Sequence, residues 1–194
     1  MYRFRNFSTS SPPSGYYNHH KREEVNVMIR MDIQTIVVGG GPVSSLVVLR
    51  THTPYKGNTS VQLPIRIGSI EATAISLGAE GSSSTRPLTH DLLAATIRSL
   101  GATLEAIDIV DVHGTTFYAE LRLTRADGTS TRVDARPSDA IAIAVRQHVP
   151  IFAEEKVIDA ASMPDFAAVE DAEKQQEMRE FHEFVETLSP EDFS

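Results

Sequence analysis

The sequence predicts an α+β fold: a single domain with a mixed β-sheet and packed helices, a disordered N-terminal arm and an acidic C-terminal helix. Three observations lead there. The stretch Ala135–Arg146 (ARPSDAIAIAVR) starts with a proline and two capping-type residues, then continues as a nearly unbroken apolar run. β-branched runs bounded by turn residues recur before and after it. Two further segments carry helical spacing closed by a glycine. The domain is assigned to residues 31–161, the arm to 1–30 and the acidic tail to 162–194.

Taken in order, residues 1–30 are rich in Ser, Pro, Tyr, His and Arg and lack a continuous apolar segment, so they make no secretory signal. Met28 and Met31 precede the first strand-like run and are plausible alternative starts. Asp32–Val38 (DIQTIVV) reads as a strand, Gly39–Pro42 as a hairpin turn and Val43–Arg50 as a second strand. The string VVGGGP resembles the start of a dinucleotide-binding loop, but Ser44 stands where the third glycine belongs and a strand follows where a helix is needed. Val61–Ile67 is the third strand. Ser69 is expected to cap a helix over 70–80, with Ile70, Ala74, Ile75, Leu77 and Gly78 on its packed face. A second helix runs from Thr89 or His90 to Gly101, with Leu93, Ile97 and Leu100 as its apolar stripe.

Strands follow over Thr103–Val112, Thr115–Thr124 and Ser130–Asp134, joined by turns at His113-Gly114 and Asp127-Gly128. The next helix, from Arg136 to Val145, has Pro137 in its first turn, where the missing N–H would have no intrahelical partner. Ser138 and Asp139 can accept hydrogen bonds from free amides there, and the Asp charge suits the positive helix end. Being apolar on nearly every side, this helix should be buried all round. Pro150–Phe152 reads as a short strand and Glu154–Ala161 as a helix. Beyond Pro164, Met178, Phe181, Val185 and Leu188 keep helical spacing in an acidic tail.

Composition narrows the function classes. The 194 residues contain no cysteine, which excludes disulfides and thiolate metal sites. No apolar run approaches the roughly 20 residues that cross a bilayer, so a cytoplasmic protein without membrane contact is expected. The net charge of −8 sits in the tail: from Glu154 onward there are 13 acids and 3 bases, against 13 acids and 15 bases before it. That balance opposes tight, non-specific nucleic-acid binding, which depends on neutralising phosphates.

Three motifs carry a family resemblance. RPLTHDLL (Arg86–Leu93) and DARPSDAIAIAVR (Asp134–Arg146), separated by a hairpin containing TTFYAELRL, resemble the bifunctional nuclease domain family. LPIRIGSIEATAISLGAEG (Leu63–Gly81) is similar to that family's pattern as well, and FVETLSPEDF (Phe184–Phe193) looks like tails of actinobacterial members. The resemblance implies a compact, homo-oligomeric α+β domain with nuclease (hydrolase) activity, DNase and RNase, and little sequence preference. RNA and DNA are then the expected substrates, weakly bound.

Phosphodiester hydrolysis needs a nucleophilic water, charge neutralisation at phosphorus and help for the leaving oxygen. Candidate catalytic residues are Arg86, His90, Asp91, Arg136 and Asp139: arginines on phosphate, where a guanidinium binds in bidentate fashion, and acids on metal or water. Asp91 and Asp139 are the expected ligands of a divalent metal, Mg²⁺ or Mn²⁺, with Glu80 and Asp134 as further carboxylates and His90 as ligand or base. Each has a plainer role beside the chemical one. Asp91, Asp139 and Glu71 are ordinary helix-start acids, and the arginines can simply pair with them. The rival function is a non-catalytic oligomeric module binding a partner protein or small anionic ligand. Carboxylates converging around a cleft would favour the metal-dependent enzyme, and Arg–Asp pairs closed on each other would favour the module.

Overall fold

Strand alternation and turn chemistry lay down one sheet. The computed structural model describes residues 27–39, 44–57, 59–81, 85–164 and 178–179. Its strands are β1 (Met28–Val37), β2 (Ser45–Thr51), β3 (Val61–Ile67), β4 (Ala102–His113), β5 (Thr116–Arg125), β6 (Ser130–Ala135), β7 (Ile151–Glu154) and β8 (Met163–Pro164). The helices are α1 (Ser69–Ala79), α2 (Thr89–Ser99), α3 (Pro137–Gln147) and α4 (Glu155–Ala161). The sheet order is β6-β5-β4-β7-β1-β2-β3-β8. All neighbours run antiparallel except β4 and β7, which are parallel. The fold is therefore α+β with a mixed sheet, as the sequence indicates.

The turns follow from their residues. Gly128 has φ +82°, a left-handed conformation that glycine adopts without a Cβ penalty, and its N–H donates to the Arg125 carbonyl. Asp127 tightens the same turn by accepting the Thr129 N–H at 2.8 Å. The β1–β2 pair is a hairpin, with Val37 opposite Leu46, which fits the reading of the glycine run as a turn; residues 40–43 lie outside the described set.

One face of the sheet carries the core. Met31, Val47, Leu49, Leu63, Ile65, Ile107, Ile109, Leu121 and Ile151 are buried in one cluster with Ala140–Ala144 of α3, Ile75 of α1, Ala94 and Ile97 of α2, and Val157 and Ile158 of α4. Ala140, Ile141, Ala142 and Ile143 are fully covered, so α3 is the central helix, with Val145 half-buried at its end. The opposite face is charged. There Asp108, wholly buried on β4, accepts hydrogen bonds from Arg122 on β5 and from Arg132 on β6, and Arg132 also bonds Glu120. The Arg122 guanidinium lies 5.4 Å from the centre of the Phe152 ring.

Several elements differ from expectation. β1 starts at Met28, so Met28–Arg30, read as part of the arm, are strand residues paired with Ala153, Phe152 and Glu154 of β7. Their partner lies more than a hundred residues away, where local patterning cannot reveal it. On α1 the packed face is Ala72 and Ile75, with Ile70 82% exposed and Leu77 exposed. On α2 it is Ala94 and Ile97, with Leu93 exposed and Leu100 80% exposed. In both helices an alanine and an isoleucine pack inward together, and on α1 Gly78 lies close against Val145 and Arg146 of α3. Ser69 is the first helical residue of α1, Gly68 holds the cap position, and the Ser69 side chain makes no capping bond. Residues 1–26 of the arm and most of the stretch expected to form the tail helix, including Phe181, Val185 and Leu188, lie outside the described residues. Among the described residues no helix is long and apolar enough to cross a membrane.

Candidate functional site

The site grows from the start of α3. Arg136 holds the cap position in extended backbone, Pro137 supplies the first helical residue, and no side chain caps the helix. The capping role expected of Ser138 and Asp139 is therefore not taken up. Asp139 turns instead to Arg136 and His90. It accepts Arg136 Nε at 2.8 Å and a second guanidinium nitrogen at 3.3 Å on one side. On the other it meets His90 Nε2 at 3.1 Å. An ionised carboxylate only accepts, so that His90 nitrogen carries the proton. Partial burial pushes the Asp139 carboxyl up, but Arg136 and His90 outweigh it and hold it below the ordinary aspartate range. Arg136 reaches on to Glu71 of α1, bonding its Oε1 at 3.1 Å. The result is a chain of four side chains, His90–Asp139–Arg136–Glu71, that joins the starts of all three long helices.

Asp91 belongs to a different cluster. Its Oδ2 accepts the Leu88 N–H at 2.9 Å and closes the start of α2. Its Oδ1 accepts Arg146 Nε at 2.9 Å. Arg146, with a side chain only 7% exposed, also donates to the Ala142 carbonyl. Arg86 is exposed and makes no hydrogen bond or ion pair among the described residues. Glu80 and Asp134 are exposed too. The two Arg-Pro helix starts thus meet through His90 and Asp139, while Arg86 and Asp91 stay apart from that contact. Among the described residues no three His, Asp or Glu side chains stand close enough to share a cation. Asp91 and Asp139 are each closed on a separate arginine, so they form no ready-made metal site.

Beside Arg136 opens a cleft of about 690 Å³ at one end of the sheet. Its walls are the facing ends of β1 and β2 (Gly39, Ser44, Ser45), the end of β3 with Arg66, the starts of α1 and α3, and the β4–β5 hairpin with Thr116 and Phe117. Two helix N-termini therefore border the same space, and helix starts present free N–H groups and positive dipole ends. Glu71 lines the cleft as well, folded over the start of α1: a Cβ on Gly68 would come within 2.1 Å of its Oε2. Reading the sequence alone missed Arg66, Ser44, Ser45 and Thr116. They sit at three strands, β2, β3 and β5, spread over some 70 residues; Arg66 and Thr116 stand within the strings LPIRIGSIEATAISLGAEG and TTFYAELRL, but nothing in either string marks them as cleft residues.

Residues 47–165 match the bifunctional nuclease domain. The chain is also similar to two proteins of Mycobacterium tuberculosis strains, "Uncharacterized protein MT1877" and "Uncharacterized protein Rv1829". Each is 43% identical over 142 residues, covering 71% of this chain and 84% of the relative. The matched span takes in Arg66, Glu71, His90, Arg136 and Asp139, and leaves β1 outside.

Proposed function

This chain belongs to the bifunctional nuclease domain family, and from that premise we propose that it hydrolyses phosphodiester bonds of RNA and DNA, with little sequence preference, in the cleft where α1 and α3 start. One observation carries the reading: the cleft puts two guanidiniums, Arg66 and Arg136, a single carboxylate, Glu71, and an aromatic wall, Phe117, around one space. Guanidiniums and helix starts neutralise phosphate without reading bases. An aromatic face stacks any base, which suits single strands and tolerates every sequence.

In this reading Arg136 holds a phosphate oxygen, and His90 with Asp139 fixes the guanidinium in place. Glu71 takes the proton of the attacking water as its oxygen bonds to phosphorus. The bond from phosphorus to the leaving oxygen breaks, and that oxygen takes a proton from solvent. Asp91 serves α2 and has no role in the step. Divalent metal enters as an arm of the test, since no three carboxylates converge to hold one among the described residues.

A second reading, a module that binds a small anionic ligand without turnover, is favoured by the closed Arg136–Asp139 and Arg146–Asp91 pairs. One experiment separates the two. Labelled single-stranded RNA and DNA are incubated with wild type and Arg136→Ala protein in Mg²⁺, Mn²⁺ or EDTA. Hydrolysis by wild type that is lost in the variant supports the enzyme. Equal cleavage by both proteins places any activity outside the cleft, and binding without cleavage supports the module.

A further inference from the structure

The outer side of α2 shows solvent a row of leucines. Ala94 and Ile97 are its buried residues, while Leu88 at the cap position, Leu92, Leu93 and Leu100 are exposed, Leu92 at 60% and Leu100 at 80%. At 3.6 residues per turn Leu88, Leu92 and Leu100 share one side of the helix with Thr96 and Ser99. Both of those hydroxyls are already used. Thr96 donates to the Leu92 carbonyl and Ser99 to the Ala95 carbonyl, each at 2.8 Å. Excluding water from this side would therefore cost these two polar groups little.

The ends of this side are basic. Arg86 precedes the helix, is exposed and makes no hydrogen bond or ion pair among the described residues. Arg98, in the last turn, donates to the neutral side chain of Gln147 and has no carboxylate partner among the described residues. α1 is the contrasting case. It exposes Ile70 and Leu77 too, but it has Glu71 in its first turn, Glu80 at its C-terminal cap and no basic residue in its last turn. An acidic segment with an apolar stripe suits α2 and not α1.

This chain contains such a segment. Residues 165–194 hold 10 acids against 2 bases, and Met178, Phe181, Val185 and Leu188 are spaced to fall on one side of a helix. From Met178 to Leu188 a helix rises about 15 Å, and from Leu88 to Leu100 about 18 Å, so the two stripes match in length. Met178 and Arg179, the described residues beyond Pro164, have helical backbone, and Met178 is 73% exposed. The segment can also reach. It leaves from β8 at one edge of the sheet, five places from β4, on which α2 packs. Strands about 4.8 Å apart make that about 24 Å, whereas the chain from Pro164 to Met178 extends to about 46 Å.

We propose that the acidic C-terminal segment folds back as a helix over α2 of the same copy, laying its stripe from Met178 to Leu188 on the exposed leucines, with its acids toward Arg86 and Arg98. The contact covers the helix whose first turn supplies His90, and it stands apart from the nuclease reading.

Hydrogen exchange of the full chain, read by mass spectrometry on tail and α2 peptides, tests this with wild type, Leu92→Asp, Val185→Asp and Ile70→Asp proteins. Circular dichroism checks that each is folded; Leu92 and Ile70 are exposed, so their substitution leaves the core intact. Tail amides of wild type exchange about tenfold or more slowly than those of Leu92→Asp and Val185→Asp, since burying one large apolar side chain shifts an equilibrium by about that much. Ile70→Asp, on α1, exchanges like wild type. Tail exchange that is equally fast or equally slow in wild type and Leu92→Asp would overturn the proposal, and so would protection lost only in Ile70→Asp. Mixing settles which copy is covered. Leu92→Asp keeps an intact tail and Val185→Asp an intact α2, so a tail that crosses to another copy regains protection in the mixture, against the proposal. A mixture that exchanges as the sum of its two components supports docking within one copy.

Discussion

Gly78 offers a substitution whose sign can be worked out in advance. It lies near the end of α1, where helix propensity alone favours Gly78→Ala by up to about 1 kcal/mol. The space does not allow it. A Cβ there would come 2.8 Å from Val145 Cγ2 and 2.4 Å from an Arg146 guanidinium nitrogen on α3. A long side chain can usually swing away, but this one is 7% exposed and tied to Asp91 and the Ala142 carbonyl. Val145 is β-branched and stiff at χ1, so it yields no more easily. Overpacking costs about 1–3 kcal/mol, and displacing a charge-assisted hydrogen bond adds about 1.5–3 kcal/mol if it is lost outright. The clash outweighs the propensity, and Gly78→Ala should destabilise the domain by about 1–3 kcal/mol. Urea unfolding followed by far-UV circular dichroism measures this directly. A variant as stable as wild type, or more so, would refute the close α1–α3 contact.

The charged sheet face and the acid limb of stability give two further predictions. Among the described residues, Arg122→Ala leaves the buried Asp108 carboxylate with only Arg132 (a single contact at 3.2 Å) and should cost about 3–5 kcal/mol in denaturant unfolding; Arg132→Ala, at a half-exposed position, should cost about 1 kcal/mol or less. Equal losses would mean that Asp108 is not held chiefly by Arg122. Asp139 is held below the ordinary aspartate range by Arg136 and His90 against the effect of burial, Asp159 by Lys56 and Tyr55, and Asp127 by Thr129. A carboxyl with a lowered folded pKa binds its proton less readily than in the unfolded chain. The stability it adds is complete above the unfolded value of about 3.9 and is lost as pH falls through the folded value. Unfolding midpoints should therefore be flat above about pH 5 and drop below about pH 4, and Asp139→Asn should shrink that drop. A variant with an unchanged acid limb would show that the Asp139 pairs add nothing.

Much of the fold was legible because local signals agreed with global packing. The run Ala140–Ala144 has no polar face to offer solvent, so α3 had to be central, and Asp127-Gly128 fixed a hairpin. Helix phase was harder. Leu93, Leu100, Ile70 and Leu77 lie exposed although they share helical spacing with the buried Ile75 and Ile97, which pack inward beside Ala72 and Ala94. Within the candidate site, the two Arg-Pro helix starts stood out in the sequence, but that they meet through His90 and Asp139 appears only in the structure. The partner of Asp91 was hidden too, since Arg146 is 55 residues away and no spacing rule links them. The cleft itself was invisible for the same reason. It exists only once hairpin ends, helix starts and Arg66 are brought together by a sheet whose β4 and β7 strands pair in parallel.

The central claim is that phosphodiester bonds are cleaved in the cleft, with Glu71 receiving the proton from water. Single-turnover cleavage of a labelled RNA strand by wild type and by Glu71→Gln tests it most directly. Glu71→Gln keeps the size of the side chain and a carbonyl oxygen for Arg136 but cannot take up the proton. The account predicts unchanged RNA binding and a cleavage rate about 10²–10⁴-fold lower. A variant that binds RNA and cleaves it at the wild-type rate would contradict the account and move the chemistry away from Glu71.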